Sequence, residues 1–310
     1  MEQRTLGNTG IELSVLGFGA ATLGDIYGGI DPDEGTLAVR HAIDRGINFI
    51  DVAPYYGLTL AETRLGEALV GVRDQVVLSS KCCRYGMREF DFSKKSVAES
   101  LDASLERLRT DHLDLFIIHD VEFGDRRQVE QEAVPAALEA KALGKVRAVG
   151  ISGLPVHHLK NVAAATGVDF VLSYCHYNLL VDDLDTVLVP HAATSGMGLI
   201  NASPLHMGVL SAEGPPEWHP GGDDIKETGR KVIDLCAARG ANASQVSLRF
   251  AIDHPALAST LCGMKTRAQV DQNLAILDME NDPALLAEIA DLVAPVKNRT
   301  WPEGLPENNP

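Results

Sequence analysis

The sequence predicts an α/β fold, a closed (β/α)8 TIM-type barrel with an N-terminal β-hairpin cap and long loops at its carboxyl face. Three observations lead there. Short apolar runs alternate with helix-patterned segments eight times along the 310 residues. The runs are nearly all apolar, as in residues 113–119, which suits strands covered on both faces. No Gly-x-Gly-x-x-Gly turn follows the first strand: Gly17, Phe18 and Gly19 lead into Ala20, Ala21 and Thr22 with no helix opening, so an open dinucleotide-binding sheet is disfavoured. Crossovers between such units are right-handed and make parallel sheets. Residues 1–310 are expected to form one barrel domain, since barrels of this kind reach that length without splitting.

The elements follow in order. Residues 4–6 and 11–14 flank the turn Gly7-Asn8-Thr9-Gly10 and read as the hairpin. The eight barrel strands are expected at 16–19, 48–51, 76–81, 113–119, 146–152, 169–173, 198–202 and 258–263. Helices are expected at 32–45, 60–70, 93–108, 128–143, 155–166, 185–195, 224–239, 244–253, 266–277 and 283–293. The helix at 93–108 sets Val97, Leu101, Leu105 and Leu108 against Glu99, Asp102 and Glu106, one face apolar and the other charged. Gly46 and Gly144 stop the helices before them. Residues 205–222 hold Gly214-Pro215-Pro216 and read as a long irregular loop.

Composition narrows the function. Acids outnumber bases 43 to 27, the formal charge is −16 and the isoelectric point is about 5.0. Nucleic acid and anionic lipid are therefore disfavoured as partners, because both want a basic face. Five cysteines, two of them adjacent at Cys82 and Cys83, do not make a disulfide framework. The start, Met1-Glu2-Gln3-Arg4-Thr5, lacks an apolar leader, and no apolar run reaches membrane-spanning length. A cytoplasmic location is expected. His157, His158, His176 and His191 form no pair at metal-ligand spacing with further ligands, so no metal is implied.

Chemistry in a barrel gathers at the carboxyl ends of the strands. There the second strand ends at Asp51, the third at Lys81, the fourth at His119 and the fifth at Ser152, and Tyr55 and Tyr56 follow Asp51 in the next loop. Singly, each has an ordinary alternative as a cap, a solvated cation or a hydrogen-bonded histidine. Together they are coherent. An ammonium beside a phenol favours the phenolate and lowers the tyrosine pKa, and a carboxylate keeps that ammonium charged and aimed. Tyrosine then becomes a proton donor and acceptor, and histidine orients a substrate oxygen.

The run Asn48-Phe49-Ile50-Asp51-Val52-Ala53-Pro54-Tyr55-Tyr56-Gly57, with Lys81 and His119 following in order, resembles the aldo-keto reductase signature over nearly the whole chain. The resemblance implies a catalytic tetrad of Tyr56, Lys81, Asp51 and His119. A narrower likeness, to the NAD-dependent aldose dehydrogenase branch, rests on Leu172-Ser173-Tyr174-Cys175-His176-Tyr177, Ala202-Ser203-Pro204-Leu205, Gly214-Pro215-Pro216-Glu217-Trp218-His219-Pro220 and Lys297-Asn298-Arg299-Thr300-Trp301-Pro302. It implies hydride transfer from C1 of an aldose, L-galactose or a related sugar such as L-fucose, to NAD, giving a lactone.

Carried onto this sequence, the cofactor set is Ser152, Tyr174, Ser203, Leu205, Gly263, Met264, Lys265, Gln269, Gln272 and Asn273, and the substrate set is Tyr55, His119, Trp218, His219 and Trp301. Gly263, Met264 and Gln269 stand where NADP-preferring members often carry Lys, Ser and Arg, which favours NAD. Lys265 and Arg267 keep NADP as the alternative, since a 2′-phosphate needs charge-assisted donors. Three positions depart from the family pattern. Ala202 replaces the usual nicotinamide-stacking tyrosine, Gly153 replaces an asparagine, and Tyr174 stands in a common glutamine position.

Other readings remain open on sequence alone. They are an NADPH-dependent aldehyde or ketone reductase, a pyridoxal-type dehydrogenase, an aldolase with Lys81 as Schiff-base nucleophile, and a non-enzymatic regulatory subunit. A small sugar is the expected partner, and the oligomeric state is left open.

Overall fold

The structure, a computed structural model, describes residues 1–26 and 28–309. Strands β1 (Gln3–Thr5) and β2 (Glu12–Ser14) pair antiparallel as the expected hairpin. Eight parallel strands close the barrel in chain order: β3 (Leu16–Gly19), β4 (Phe49–Asp51), β5 (Val77–Cys82), β6 (Leu113–Ile118), β7 (Val146–Gly153), β8 (Phe170–Tyr174), β9 (Gly198–Ala202) and β10 (Ser259–Gly263), with β10 pairing back onto β3. The predicted fold class is the observed one.

Period-two alternation along these strands decides what faces the barrel axis. Phe49, Leu115, Ile117, Ala148, Phe170, Leu172, Ile200 and Leu261 share an interior cluster with the hairpin residues Leu6, Ile11 and Leu13. Ile50, Leu78, Phe116, Ile118, Val149 and Val171, the alternate positions, pack outward under the helices. The same parity brings the last residue of each run, Asp51, Lys81, His119, Ser152, Tyr174 and Ala202, onto the inner face at the carboxyl rim. Gly150 keeps this interior closed, since a Cβ there would lie 2.5 Å from the Phe170 ring. The hairpin plugs the other end. Its turn approaches so closely that a Cβ on Gly7, where φ is +50°, would meet Gly198 N at 2.4 Å.

The outer layer begins with α1 (Pro32–Asp44), α2 (Leu60–Ala68) and α3 (Lys94–Leu108). Side-chain caps fix two of these starts: Asp31 accepts from Asp33 N and Ser93 from Ser96 N. The helix expected at 128–143 begins earlier and changes pitch. It runs as α4 (Arg126–Gln128), a π turn (Val129–Ala133) and α5 (Val134–Ala142). Pro135 offers no N–H to a preceding turn, and the wider turn sits just before it. After α6 (Val156–Thr166), the helix expected at 185–195 is two pieces, α7 (Asp183–Val187) and α8 (Val189–Ser195), broken ahead of Pro190.

Helices α9 (Asp223–Ala238), α10 (Ala243–Ile252), α11 (Arg267–Leu274) and α12 (Pro283–Val293) complete the layer. The loop after β9 is irregular as expected, apart from one 3-10 turn at His206–Gly208, and a 3-10 turn at Ala20–Gly24 follows β3 where no helix was expected. Among the described residues, no helix is long and apolar enough to cross a membrane.

Candidate active site

Asp51, Tyr56, Lys81 and His119 meet at the carboxyl rim. Lys81, 1% exposed, is ion-paired with Asp51, donates to Val52 O at 2.9 Å and reaches the Tyr56 hydroxyl at 3.3 Å. An ammonium has three protons, and these three acceptors use them. The other Asp51 oxygen accepts from Ser79 Oγ at 2.9 Å, so the carboxylate is fixed by two neighbours on β5. Tyr56 sits edge-on to His119, with ring centroids 5.9 Å apart, and Tyr55 lies 6.2 Å from the same imidazole.

Electrostatics depart in one respect from the sequence expectation. Burial pushes the Tyr56 phenol well above its ordinary value, and the Asp51 and Asp120 carboxylates push the same way. The Arg84 cation pulls the other way and is outweighed, so the phenol holds its proton in this state. His119 moves oppositely: burial, then the Lys81 and Arg84 cations, push it well down. The imidazole is therefore neutral, and its Nδ1 is buried without a hydrogen-bond partner among the described residues. A neutral imidazole, a protonated phenol and a buried ammonium make a site that can hold an oxygen and pass one proton.

The cofactor-set residues divide. Ser152 is buried and its hydroxyl accepts the Asp120 amide at 3.4 Å. Tyr174 is half-buried, and burial with Asp120, Glu122 and Glu303 pushes its phenol far up. Ser203, at φ +57°, and Leu205 begin the loop after β9. Gly263 ends β10 exposed, Gln272 is exposed, and Lys265 and Gln269 are half-buried, the Gln269 side chain accepting from Lys265 N at 2.9 Å. Two residues are engaged by the barrel wall. The Met264 side chain is wholly buried in the outer core, leaving only its backbone at the rim, where its carbonyl accepts from Thr22 Oγ1 at 2.7 Å. Asn273 leans back on β10, with Nδ2 3.5 Å from Cys262 Sγ.

The expected sugar contacts divide as well. Trp218 is 51% exposed, whereas Trp301 and His219 are buried. His219 has little to offer a ligand: Nε2 donates to His206 O at 3.2 Å and Nδ1 accepts from Gly221 N at 3.0 Å. Its ring stands 5.2 Å from Trp301, and His206 stands 5.4 Å from the same indole. These three rings hold the long loop and the tail together. His206, driven by burial down to about 3, stays uncharged there.

Sequence reasoning missed Arg84, Asp120, Glu122 and Glu303. Arg84 pairs with Asp120 and stacks 3.9 Å above the Tyr55 ring. Glu122 explains Gly153, because a Cβ on that glycine would lie 2.2 Å from Glu122 Oε2. The tail returns over this spot: Leu305 N and Asn308 Nδ2 both donate to Glu122 O at 2.8 Å. Asp120 stands one residue past His119 and was legible as a second rim position.

Comparison with known proteins agrees with this geometry. The profile of the Aldo/keto reductase family matches residues 15–294. The chain belongs to the aldo/keto reductase family. L-Galactose dehydrogenase of Arabidopsis thaliana is 40% identical over 99% of both chains. D-threo-Aldose 1-dehydrogenase of a Pseudomonas species is 28% identical, covering 91% of this chain and 94% of its own. An aldo-keto reductase of Bacillus halodurans, solved in its holo form, superposes with a TM-score of 0.80 over 100% of both chains at 23% identity, a likeness of fold. This aldo-keto reductase is thus an oxidoreductase, of a family that works with a nicotinamide cofactor.

Proposed function

We propose that this aldo-keto reductase oxidises C1 of an aldose, L-galactose or a related sugar, with NAD, giving the aldonolactone. The observation that carries the chemistry is the Tyr56 hydroxyl 3.3 Å from a fully buried Lys81 and edge-on to a neutral His119. The likeness to L-galactose dehydrogenase over 99% of the chain supports the substrate class.

The donor set fits a nicotinamide. Asp51, Tyr56, Lys81 and His119 can move a proton, but none of them accepts a hydride, and the exposed Gly263 leaves open backbone at the rim beside α11. Bound there, the nicotinamide would supply the hydride acceptor and a positive charge. Gly263, Lys265, Gln269 and Gln272 would hold it from the β10–α11 side, with Ser203 and Leu205 on the β9 side.

His119 orients the C1 hydroxyl through a neutral ring nitrogen. Tyr56 takes the hydroxyl proton. Lys81 favours the phenolate that this requires, and Asp51 holds Lys81 in place. In the free site burial keeps the phenol protonated, so the base forms only as positive charge arrives or pH rises. The three acceptors around Lys81 Nζ favour an ammonium and oppose the Schiff-base alternative.

NAD over NADP is supported at Arg267, whose backbone N and side chain make three hydrogen bonds with Glu34 at 2.9–3.3 Å. A guanidinium held by a carboxylate is a poor receptor for a 2′-phosphate. Five free, buried cysteines support a reducing compartment such as the cytoplasm. The test is initial-rate kinetics on a panel of aldoses with NAD and with NADP. Appearance of reduced NAD with L-galactose or a near relative is the expected result. Turnover confined to NADPH and aromatic aldehydes would reassign the protein as a carbonyl reductase.

A further inference from the structure

We infer that Arg84 and Asp120, backed by Glu303 of the tail, form a polar subsite that holds the hydroxyl groups next to the reacting carbon. The inference deepens the aldose reading and rests on it.

The placement comes from two matched departures from regular strand geometry. One residue past the end of β5, Cys83 turns with φ +75°, and one past His119, beyond β6, Asp120 turns with φ +51°. Both conformations disfavour residues with a Cβ, and such strain gathers where a side chain must be aimed. The result brings Arg84 and Asp120 into an ion pair at the rim. Arg84 lies 3.9 Å above the Tyr55 ring and 5.4 Å from the rings of Phe90 and Phe123. Tyr55 in turn flanks His119. The pair therefore stands beside the group assigned to the C1 oxygen and not out in solvent.

Its hydrogen-bonding capacity is only partly used. Arg84 Nε is buried without a partner among the described residues. Asp120 Oδ2 stands 3.6 Å from His119 Nε2, too long for a good hydrogen bond. Glu303 is half-buried, close enough to feel both Arg84 and Asp120. Neighbouring hydroxyls each carry a donor and an acceptor. A carboxylate takes the donors and a guanidinium fork serves the acceptors, with charge-assisted bonds at both. An aldehyde without hydroxyls has no use for such a pair.

The test measures kcat and KM for L-galactose, for its 2-deoxy and 3-deoxy forms, and for a hydroxyl-free aldehyde in the reducing direction. The enzymes are the wild type, Asp120→Asn, Arg84→Lys and Glu303→Gln, with melting temperature recorded for each. The expected result is a fall of about tenfold or more in the sugar-to-aldehyde ratio of kcat/KM for Asp120→Asn and Arg84→Lys, chiefly through sugar KM. The variants should also stop distinguishing the parent sugar from at least one deoxy form. Equal losses on sugar and plain aldehyde, or an unchanged sugar KM, overturn the subsite. Should Asp120→Asn not fold, Arg84→Lys and Glu303→Gln decide by the same ratio. A wild type that turns over plain aldehydes and no aldose sinks the aldose reading, and the subsite with it. A wild type active on aldoses, with unselective variants, sinks the subsite alone.

Discussion

Each end of the barrel buries an aspartate against cations, and only one end resembles a place where chemistry happens. At the amino end, Asp114 accepts from Leu78 N at 2.9 Å, Arg73 at 3.0 Å and Arg147 at 2.6 Å. Arg73 is itself tied to Val76 O and His112 O at 3.0 and 3.1 Å. Burial would raise the Asp114 carboxyl, but the Leu78 amide and the two arginines outweigh it and hold it low. At the carboxyl end, the Asp51–Lys81 pair is more deeply buried, since Lys81 is 1% exposed against 14% for Arg73 and 52% for Arg147. Its neighbours differ: Tyr56 is pushed up, His119 is pushed down, and His119 Nδ1 lacks a partner. A buried ion pair alone says little about function. Neutral proton-bearing groups with spare hydrogen-bonding capacity beside it say more.

The sharpest way to break this comparison is Tyr56→Phe. Removing one hydroxyl should lower kcat by about 10²–10⁴-fold, the range for a lost general acid–base group, with cofactor affinity by fluorescence titration and melting temperature close to wild type. A variant retaining wild-type kcat would return the carboxyl end to the same structural category as Asp114.

At the opposite end, the converse is expected of Asp114→Ala. Arg73, 14% exposed, and the Leu78 amide lose a buried partner, while Arg147, 52% exposed, stays hydrated, so the loss is about 1–3 kcal/mol. Denaturant unfolding should register that loss while the folded fraction keeps its kcat. The effect has a pH signature. The folded Asp114 pKa is lowered, so its contribution is present above the unfolded value near 4 and fades as pH falls through the folded value. The variant should therefore lose less than wild type on acidification below about pH 4.

Lys81→Met sharpens the comparison further, because it splits the roles within one pair. It should slow oxidation by removing the cation that favours the phenolate, and also destabilise the fold by stranding Asp51. Lys81→Met with Asp51→Asn should recover much of the stability but little of the rate, as read by unfolding and by kcat on the same preparations. Recovery of both would make the pair a structural one.

The barrel was legible because its signals are local and repeated. Apolar strand runs, glycine stops and capping residues each state one element, and period-two counting from Phe49, Ile117 and Phe170 indicates which rim residues turn inward. What escaped depends on distant parts of the chain. Arg84 and Asp120 meet only because two strand ends turn left-handed at residues other than glycine. Glu122 and Gly153 fit each other across strands, and the tail at Leu305 and Asn308 folds back nearly 190 residues to cover them. His219 reads in sequence as a polar loop residue on the pocket side. Its actual engagement with His206 O and Gly221 N is a tertiary accident that no spacing announces. The Tyr56 phenol was misjudged for a related reason: an ammonium is visible in sequence, whereas the depth of burial that raises the phenol is not.

The smallest effect expected is also the most discriminating. If His119 is neutral because burial, Lys81 and Arg84 push it well down, it does not titrate across the ordinary histidine range. The oxidation rate should then climb with pH as the Tyr56 phenolate becomes accessible, with no inflection near 6.5, the ordinary histidine value. A profile of kcat/KM between about pH 5 and 9 measures this in the free enzyme and free substrate. His119→Gln keeps a neutral hydrogen-bonding side chain, so it should lower the rate while leaving the shape of the curve in place. A bend near 6.5 that His119→Gln removes would mean an imidazole that charges normally, and a carboxyl rim more open to water than its packing implies.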